Sequence, residues 1–273
     1  MDSPGCLRHH SKVNVHIQRE EVSMKIAARI LGISLLIAAM SAVMYAKDED
    51  KSDAVKRADA AANVLDEIMG TPDKGIPTEI LESAKCVAVV PSMIKAGFVF
   101  GGRYGKGMAT CRTATGWSAP APFTVAGGSW GLQIGGEAVD LVMLIMNDKG
   151  MQHLLASKFK LGADASAAAG PVGRHAAADT DWKMRAEVLS YSRSRGIFGG
   201  LELNGAVIKQ DDDSTRILYG KAIPFARILK GAVPVPEGTH RFIAVVSKYA
   251  SEAKQGEVET PKSAPVASKT NQQ

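Results

Sequence analysis

The spacing of apolar residues changes character several times along this chain. Ile30 to Tyr45 has no charged residue; Met24-Lys25-Ile26-Ala27-Ala28-Arg29 precedes it and the acidic run Lys47-Asp48-Glu49-Asp50 follows. Over residues 51–70 the apolar positions fall at helical spacing, with Ala54, Ala58, Ala61, Leu65, Ile68 and Met69 on one face and Asp59, Asn63, Asp66 and Glu67 opposite. Gly70 and Pro72 stop that helix. Its apolar face is mostly alanine, which suits packing on a protein body better than insertion in lipid. A second short helix is expected over Glu79–Ala84, with Pro77 in its first turn.

Strand patterns follow. Cys86–Val90 is a short buried run, which Pro91 and Ser92 are expected to end. Gly97–Tyr104 and Gly107–Thr113 read as two strands turning at Gly105-Lys106, and Thr115-Gly116 as another turn. Pro120 and Pro122 argue against a central strand at that point. Ser129–Gly135 and the continuously apolar Val139–Asn147 read as strands, and Met151–Lys158 as a short helix. Glu187–Ser194 and Leu201–Gln210 read as a hairpin around Gly196–Gly200. Asp211-Asp212-Asp213 reads as a solvated turn. A last helix has Thr239 as a candidate cap and Phe242, Val245, Val246 and Tyr249 as its stripe. The glycine-dense stretch 97–136 alternates with β-branched and aromatic residues, the pattern of a strongly bent sheet rather than of a linker. The fold class expected is α+β: a strongly bent antiparallel β-sheet or partial barrel, with an N-terminal helix and short peripheral helices.

Residues 24–46 have the three-part build of a secretory leader. Cleavage after Ala46 and an uncleaved anchor are both open, as is a start at Met24 instead of Met1. Residues 251–273 are polar and lack periodicity, as disordered tails do.

Composition narrows the function classes. The chain has 273 residues and formal charge +5; without residues 1–46, which hold five Lys/Arg and three Asp/Glu, the charge is +3. That is too little basic charge, with no aromatic interleaving, to indicate nucleic acid. Cys86 and Cys111 each lie in an expected strand. A disulfide in an oxidising compartment and two buried thiols are both open readings.

Candidate chemistry is sparse. Gly127-Gly128-Ser129-Trp130-Gly131 satisfies G-x-S-x-G, but the nucleophile elbow needs a helix after the serine, and Leu132–Gly136 reads as a strand. Gly102-Arg103-Tyr104-Gly105-Lys106-Gly107 lacks Walker spacing; it suits a cationic hairpin tip from which Arg103 and Lys106 project together. His153, His175 and His240 are too dispersed for a metal site. No catalytic residue, metal site or cofactor is therefore expected. Asp140 opens an apolar run and calls for a partner, Arg174 or Arg112.

Several short blocks occur in a fixed order: Val89-Val90-Pro91, Lys95-Ala96-Gly97-Phe98, Gly101-Gly102, Gly105-Lys106-Gly107, Gly116-Trp117-Ser118-Ala119-Pro120 and Gly131-Leu132-Gln133-Ile134-Gly135. Asp140-Leu141-Val142, Leu161-Gly162-Ala163-Asp164, Ala169-Gly170-Pro171-Val172-Gly173-Arg174, Tyr191-Ser192, Gly196–Gly200 and Tyr219-Gly220 continue the series. It closely resembles the SYLF-domain family over roughly Ala54–Gly220. The resemblance implies a non-enzymatic, lipid-binding domain; eukaryotic members bind phosphoinositides and some bind actin filaments. The implied organisation is an extension and leader over 1–46, a SYLF-like lipid-binding domain over 47–225, a C-terminal helical segment over 226–250 and a tail over 251–273.

The function expected is binding of anionic phospholipid or phosphoinositide-like headgroups in the bacterial cell envelope. The location expected is the periplasm or the exterior, or the inner membrane if the leader stays on. Lys95, Arg103, Lys106, Arg112, Arg174, Arg193 and Arg195 are the candidate headgroup contacts, provided that they share one side of the body. The alternatives are a periplasmic protein-interaction module with an unknown protein partner, and an esterase through Ser129.

Overall fold

The computed structural model describes residues 51–71, 75–97, 100–130, 135–172, 186–194, 197–201 and 203–256. In chain order the elements are helix α1 (51–69), α2 (Thr78–Ser83), strands β1 (Cys86–Gly97), β2 (Phe100–Thr113), β3 (Gly116–Trp117), β4 (Ala121–Trp130) and β5 (Gly135–Ile145). Then come α3 (Asp148–Leu155), β6 (Lys158–Lys160), β7 (Ala167–Ala169), β8 (Val188–Ser194), β9 (Ile197–Gly200), β10 (Val207–Gln210), α4 (Asp212–Tyr219), α5 (Phe225–Leu229) and α6 (His240–Gly256). The strands make one strongly curled, open sheet in the order β6-β10-β4-β2-β1-β5-β8-β7, with β3 beside β2 and β9 beside β8. Among the described residues the named strands pair antiparallel except β7 with β8. The α+β bent sheet expected from the glycine pattern is the architecture found.

The middle strands are buried on both faces, which explains why β5 reads as a continuous apolar run. Ala88, Val90, Phe123, Val125, Leu141 and Met143 face one apolar cluster, closed by Phe225, Ile228 and Leu229 of α5. Val87, Val89, Met108, Val142 and Leu144 face the other, covered by α1 through Ala58, Ala61, Leu65 and Ile68 and by α6 through Phe242 and Val246. The alanine-rich side of α1 is thus inside the molecule. No helix among the described residues is long and apolar enough to cross a membrane.

Several expectations are corrected. β1 does not end at Pro91 but continues to Gly97 through a bulge. Its register against β2 and β5 shifts there, and Ser92 takes φ 51°. Asp140 holds the bulge by accepting the Ser92 N–H at 2.9 Å. Gly105-Lys106 is not a turn but the middle of β2. Gly105 and Gly107 are needed there because neighbours occupy the space of their missing Cβ atoms: Val90 Cγ1 lies 2.5 Å from one, Val89 O 2.4 Å from the other. Pro122 sits in a central strand after all. Its carbonyl accepts Asp211 N–H at 3.0 Å, so its imino nitrogen points to the same side, past the end of β10, where no donor is required. The segment 201–210 does not form a hairpin with β8; β10 pairs with β4 and β6. Asp211 begins a helix instead of sitting in a solvated turn, its carboxylate accepting Ser214 N–H at 3.0 Å as the N-cap of α4.

Candidate functional site

The alternation of a strand sends successive side chains to opposite faces, so register decides which candidates can act together. The strand ends Gly97 and Phe100, Trp130 and Gly135, and Ser194 and Ile197 lie at one end of the sheet, because Gly97 pairs with Gly135, Phe100 with Trp130 and Ser194 with Ile197. Towards this end the sheet projects beyond both apolar clusters. Its two faces there differ sharply.

On one face, Lys95 of β1 lies in register between Arg103 of β2 and Glu137 of β5. Lys95 and Arg103 are half-buried. Burial lowers the Lys95 pKa, the Glu137 carboxylate opposes that, and the Arg103 charge adds to it. Burial lowers that of Arg103 as well. Glu137 also accepts the Ser194 hydroxyl. On the other face, at the same height, Ala126, Tyr104, Ile94 and Ala138 form one row across β4, β2, β1 and β5. The next row outward is Gly128, Gly102, Ala96 and Gly136. All eight are exposed, with Ile94 at 57% and Tyr104 at 48%. Four strands span about 14 Å at ordinary strand spacing, so this is a continuous uncharged strip, not an isolated apolar residue.

The seven cations expected to share a surface do not. Lys95 and Arg103 are brought together. Lys106 and Arg112 lie on the opposite face of the same strand, so the expected cationic hairpin tip of Arg103 and Lys106 does not exist. Lys106 Nζ pairs with Asp211 at 3.0 Å. Arg112 closes the C-terminal end of α2 by donating to Ala84 O at 2.9 Å and Glu82 O at 2.7 Å. Its guanidinium also stacks 4.5 Å from the Trp117 ring centroid. Arg193 pairs with Asp140 and with Glu67 of α1. Among the described residues it, and not Arg112, is the partner of Asp140. Arg174 lies outside the described residues, as does Arg195. The spacing of the basic residues could not reveal this division; the period-two alternation within β2, odd against even numbers, could have separated Arg103 from Lys106.

Cys86 and Cys111 are directly opposed in the β1–β2 pair and joined by a disulfide with Cα atoms 3.9 Å apart. Both are fully buried. Ser129 lies in β4 with strand β5 as the next element, so the strand–serine–helix turn of a nucleophile elbow is not formed. His153 Nε2 is 3.5 Å from the buried Glu187 carboxylate, whose other oxygen meets Lys149 Nζ at 2.8 Å. Glu187 is thus a buried acid whose ion-pair partner is the Lys149 ammonium.

Apolar residues missed as site candidates, Ile94 and Tyr104, are the ones that the fold exposes. In sequence they carry no mark, since Ile94 reads as one more core residue.

Residues 126–249 match the family model described as "Ysc84: Las17-binding protein actin regulator". The chain is 33% identical over 180 residues to the rat "SH3 domain-containing YSC84-like protein 1", covering 65% of this chain and 53% of the relative. An SH3 domain-containing protein of Schizosaccharomyces pombe is 39% identical over 166 residues, with coverage of 59% and 38%. "Protein YSC84" of Saccharomyces cerevisiae is 33% identical over 184 residues, with coverage of 65% and 39%. The chain therefore spans about half, or less, of the length of these curated relatives. The family description names an actin regulator, and two of these relatives are named for an SH3 domain.

Proposed function

The chain belongs to the SYLF-domain family, and from that premise we propose that it is a non-enzymatic module that docks on anionic lipid surfaces through the projecting end of its sheet. The observation that carries this reading is the exposed uncharged strip of Ile94, Tyr104 and their alanine and glycine neighbours, backed by Lys95 and Arg103 on the reverse face.

An end-on approach reconciles the two faces. With the strands roughly upright on the bilayer, the apolar strip enters the interfacial region while Lys95 and Arg103 reach outward to phosphates along their aliphatic stems. Full burial of a side chain such as Ile contributes ~1.5–3 kcal/mol. Each cation near an anionic surface adds about 1 kcal/mol. A contact of this size gives reversible, peripheral association that depends on salt. Helix α1 has no part in it, because its apolar side is packed inside. The leader-like segment 24–46 adds an exported location, at a bacterial envelope, to the proposal.

Sedimentation with phosphatidylglycerol and phosphatidylcholine vesicles tests this. Ile94→Ser with Tyr104→Ser should abolish binding. Lys95→Ser with Arg103→Ser should weaken it and flatten its salt dependence. Vesicle binding that survives both pairs of substitutions would remove the sheet end as the docking surface.

A further inference from the structure

At the opposite end of the sheet lies a cleft of about 430 Å³. Its position follows from two contacts: the Tyr219 hydroxyl donates to Pro120 O at 2.6 Å, just before β4 begins, and Gly231 abuts Thr113, where β2 ends. The volume is within the range of small-molecule sites. We propose that this cleft binds a small anionic amphiphile: a phosphate monoester or carboxylate carried on an apolar body.

Three observations support that ligand class. Apolar side chains make up part of the lining, with Ile223 and Val233 packed against the core and Tyr219 tethered by its hydroxyl. Lys221 and Arg227 also line the cleft, no carboxylate does, and among the described residues neither cation is in an ion pair. Two positive charges with no carboxylate in the lining, set beside apolar side chains, suit a ligand with one anionic end and an apolar body.

The third observation is that the cleft is built in advance. The buried Gln210 side chain uses both ends of its amide on the loop that forms one wall: its nitrogen donates to Ile223 O at 2.8 Å, and its oxygen accepts Phe225 N–H at 2.9 Å. Pro224, between these anchors, is fixed in φ. Gly220, at φ 72°, ends α4 and turns the chain into this wall. The far wall is tied to α5 through Gly231 N–H to Ile228 O at 3.0 Å and Ala232 N–H to Arg227 O at 3.2 Å. A site that loses little loop freedom on binding keeps more of its contact energy as affinity. The Tyr219-Gly220 pair, which the lipid-docking reading leaves without a role, thus forms one wall and its turn.

The test is titration calorimetry of the full chain with decyl phosphate below its micelle concentration. Parallel titrations use inorganic phosphate and decyl maltoside. One-to-one binding of decyl phosphate is expected, weakened at least tenfold in Lys221→Ser/Arg227→Ser. Ala222→Trp, which fills the cleft and keeps both charges, should weaken it equally. Decyl maltoside should bind far more weakly. Binding of inorganic phosphate as tight as that of decyl phosphate would overturn the apolar part of the proposal. Wild-type affinity in either cleft variant, or equal affinity for decyl maltoside, would overturn the site. Ile94→Ser/Tyr104→Ser should titrate like the wild type; loss of decyl phosphate binding there would assign the signal to the sheet end and remove the cleft. Failure of either site therefore leaves the other standing.

Discussion

Asp140 and Arg193 face each other in register across β5 and β8, with Arg193 Nη2 2.8 Å from Asp140 Oδ2. The same carboxylate holds the Ser92 N–H of the β1 bulge, and the same guanidinium reaches Glu67 of α1. One ion pair therefore joins two strands, a bulge and a helix. Arg193→Ala is expected to cost roughly 1.5–3 kcal/mol, the range for hydrogen bonds to charged groups. Arg193→Lys should recover only part of this, because a single ammonium cannot reproduce the fork. Urea denaturation of the three proteins checks it; an unchanged midpoint for Arg193→Ala would show the pair to be idle.

Asp211 gives a pH dependence. Burial pushes its carboxyl up, but the Ser214 N–H and hydroxyl and the Lys106 ammonium together outweigh burial and hold it below the usual carboxylate range. A depressed acid stabilises the fold fully above its unfolded value, about 3.9, and that contribution disappears as pH falls through the lower folded value. Asp211→Asn keeps the helix cap and loses the charge, so it should cost about 1 kcal/mol at pH 7. The gap from wild type should close as pH drops below about 4. Thermal melts of both proteins across pH 2.5–7 would read this; a gap independent of pH would contradict the assignment.

The buried Cys86–Cys111 bridge closes a loop with a sequence separation of 25 residues. Reduction should lower stability by about 2–4 kcal/mol. In the denatured, unreduced full chain, maleimide labelling should detect no thiol beyond Cys6. Labelling of three thiols would show that the bridge does not form.

Glycine positions offer an internal control. A Cβ at Gly170 would fall 2.1 Å from the ring of Tyr191, and one at Gly107 would fall 2.4 Å from Val89 O. Alanine at either site should destabilise by ~1–3 kcal/mol through overpacking. Gly136, where a Cβ would meet nothing within 4 Å, should accept alanine nearly unchanged. Chemical denaturation separates the three, and equal effects would mean that packing is not the cause.

Much of the architecture is legible in the pattern of residues. The helical spacing of Ala54 to Ile68 located α1, and the continuous run Leu141–Ile145 marked a strand buried on both sides. What misled were residues whose usual meaning depends on neighbours far away in sequence. Pro91 and Pro122 look like terminators, yet a bulge braced by Asp140 and a strand that begins before its partner accommodate them. Gly105 looks like a turn, yet it is small because Val90 leans into its space. Candidate cations suffered in the same way. Lys106 and Arg112 find Asp211 and the end of α2 only after the chain has folded, and their partners lie 105 and 28 to 30 residues away. The apolar strip was invisible for the opposite reason: Ile94 and Tyr104 have the composition of a core, and only the length by which β1 and β2 outrun both clusters exposes them.

The order of strands also separates the stretch that the family model matches from the part able to fold. The family match opens at residue 126, inside β4. Yet β2 and β1 lie between β4 and β5, and α1 and α2 cover their inner neighbours. A polypeptide trimmed to that match would lack the two central staves of its own sheet, leaving four strand margins unsealed and open to other copies.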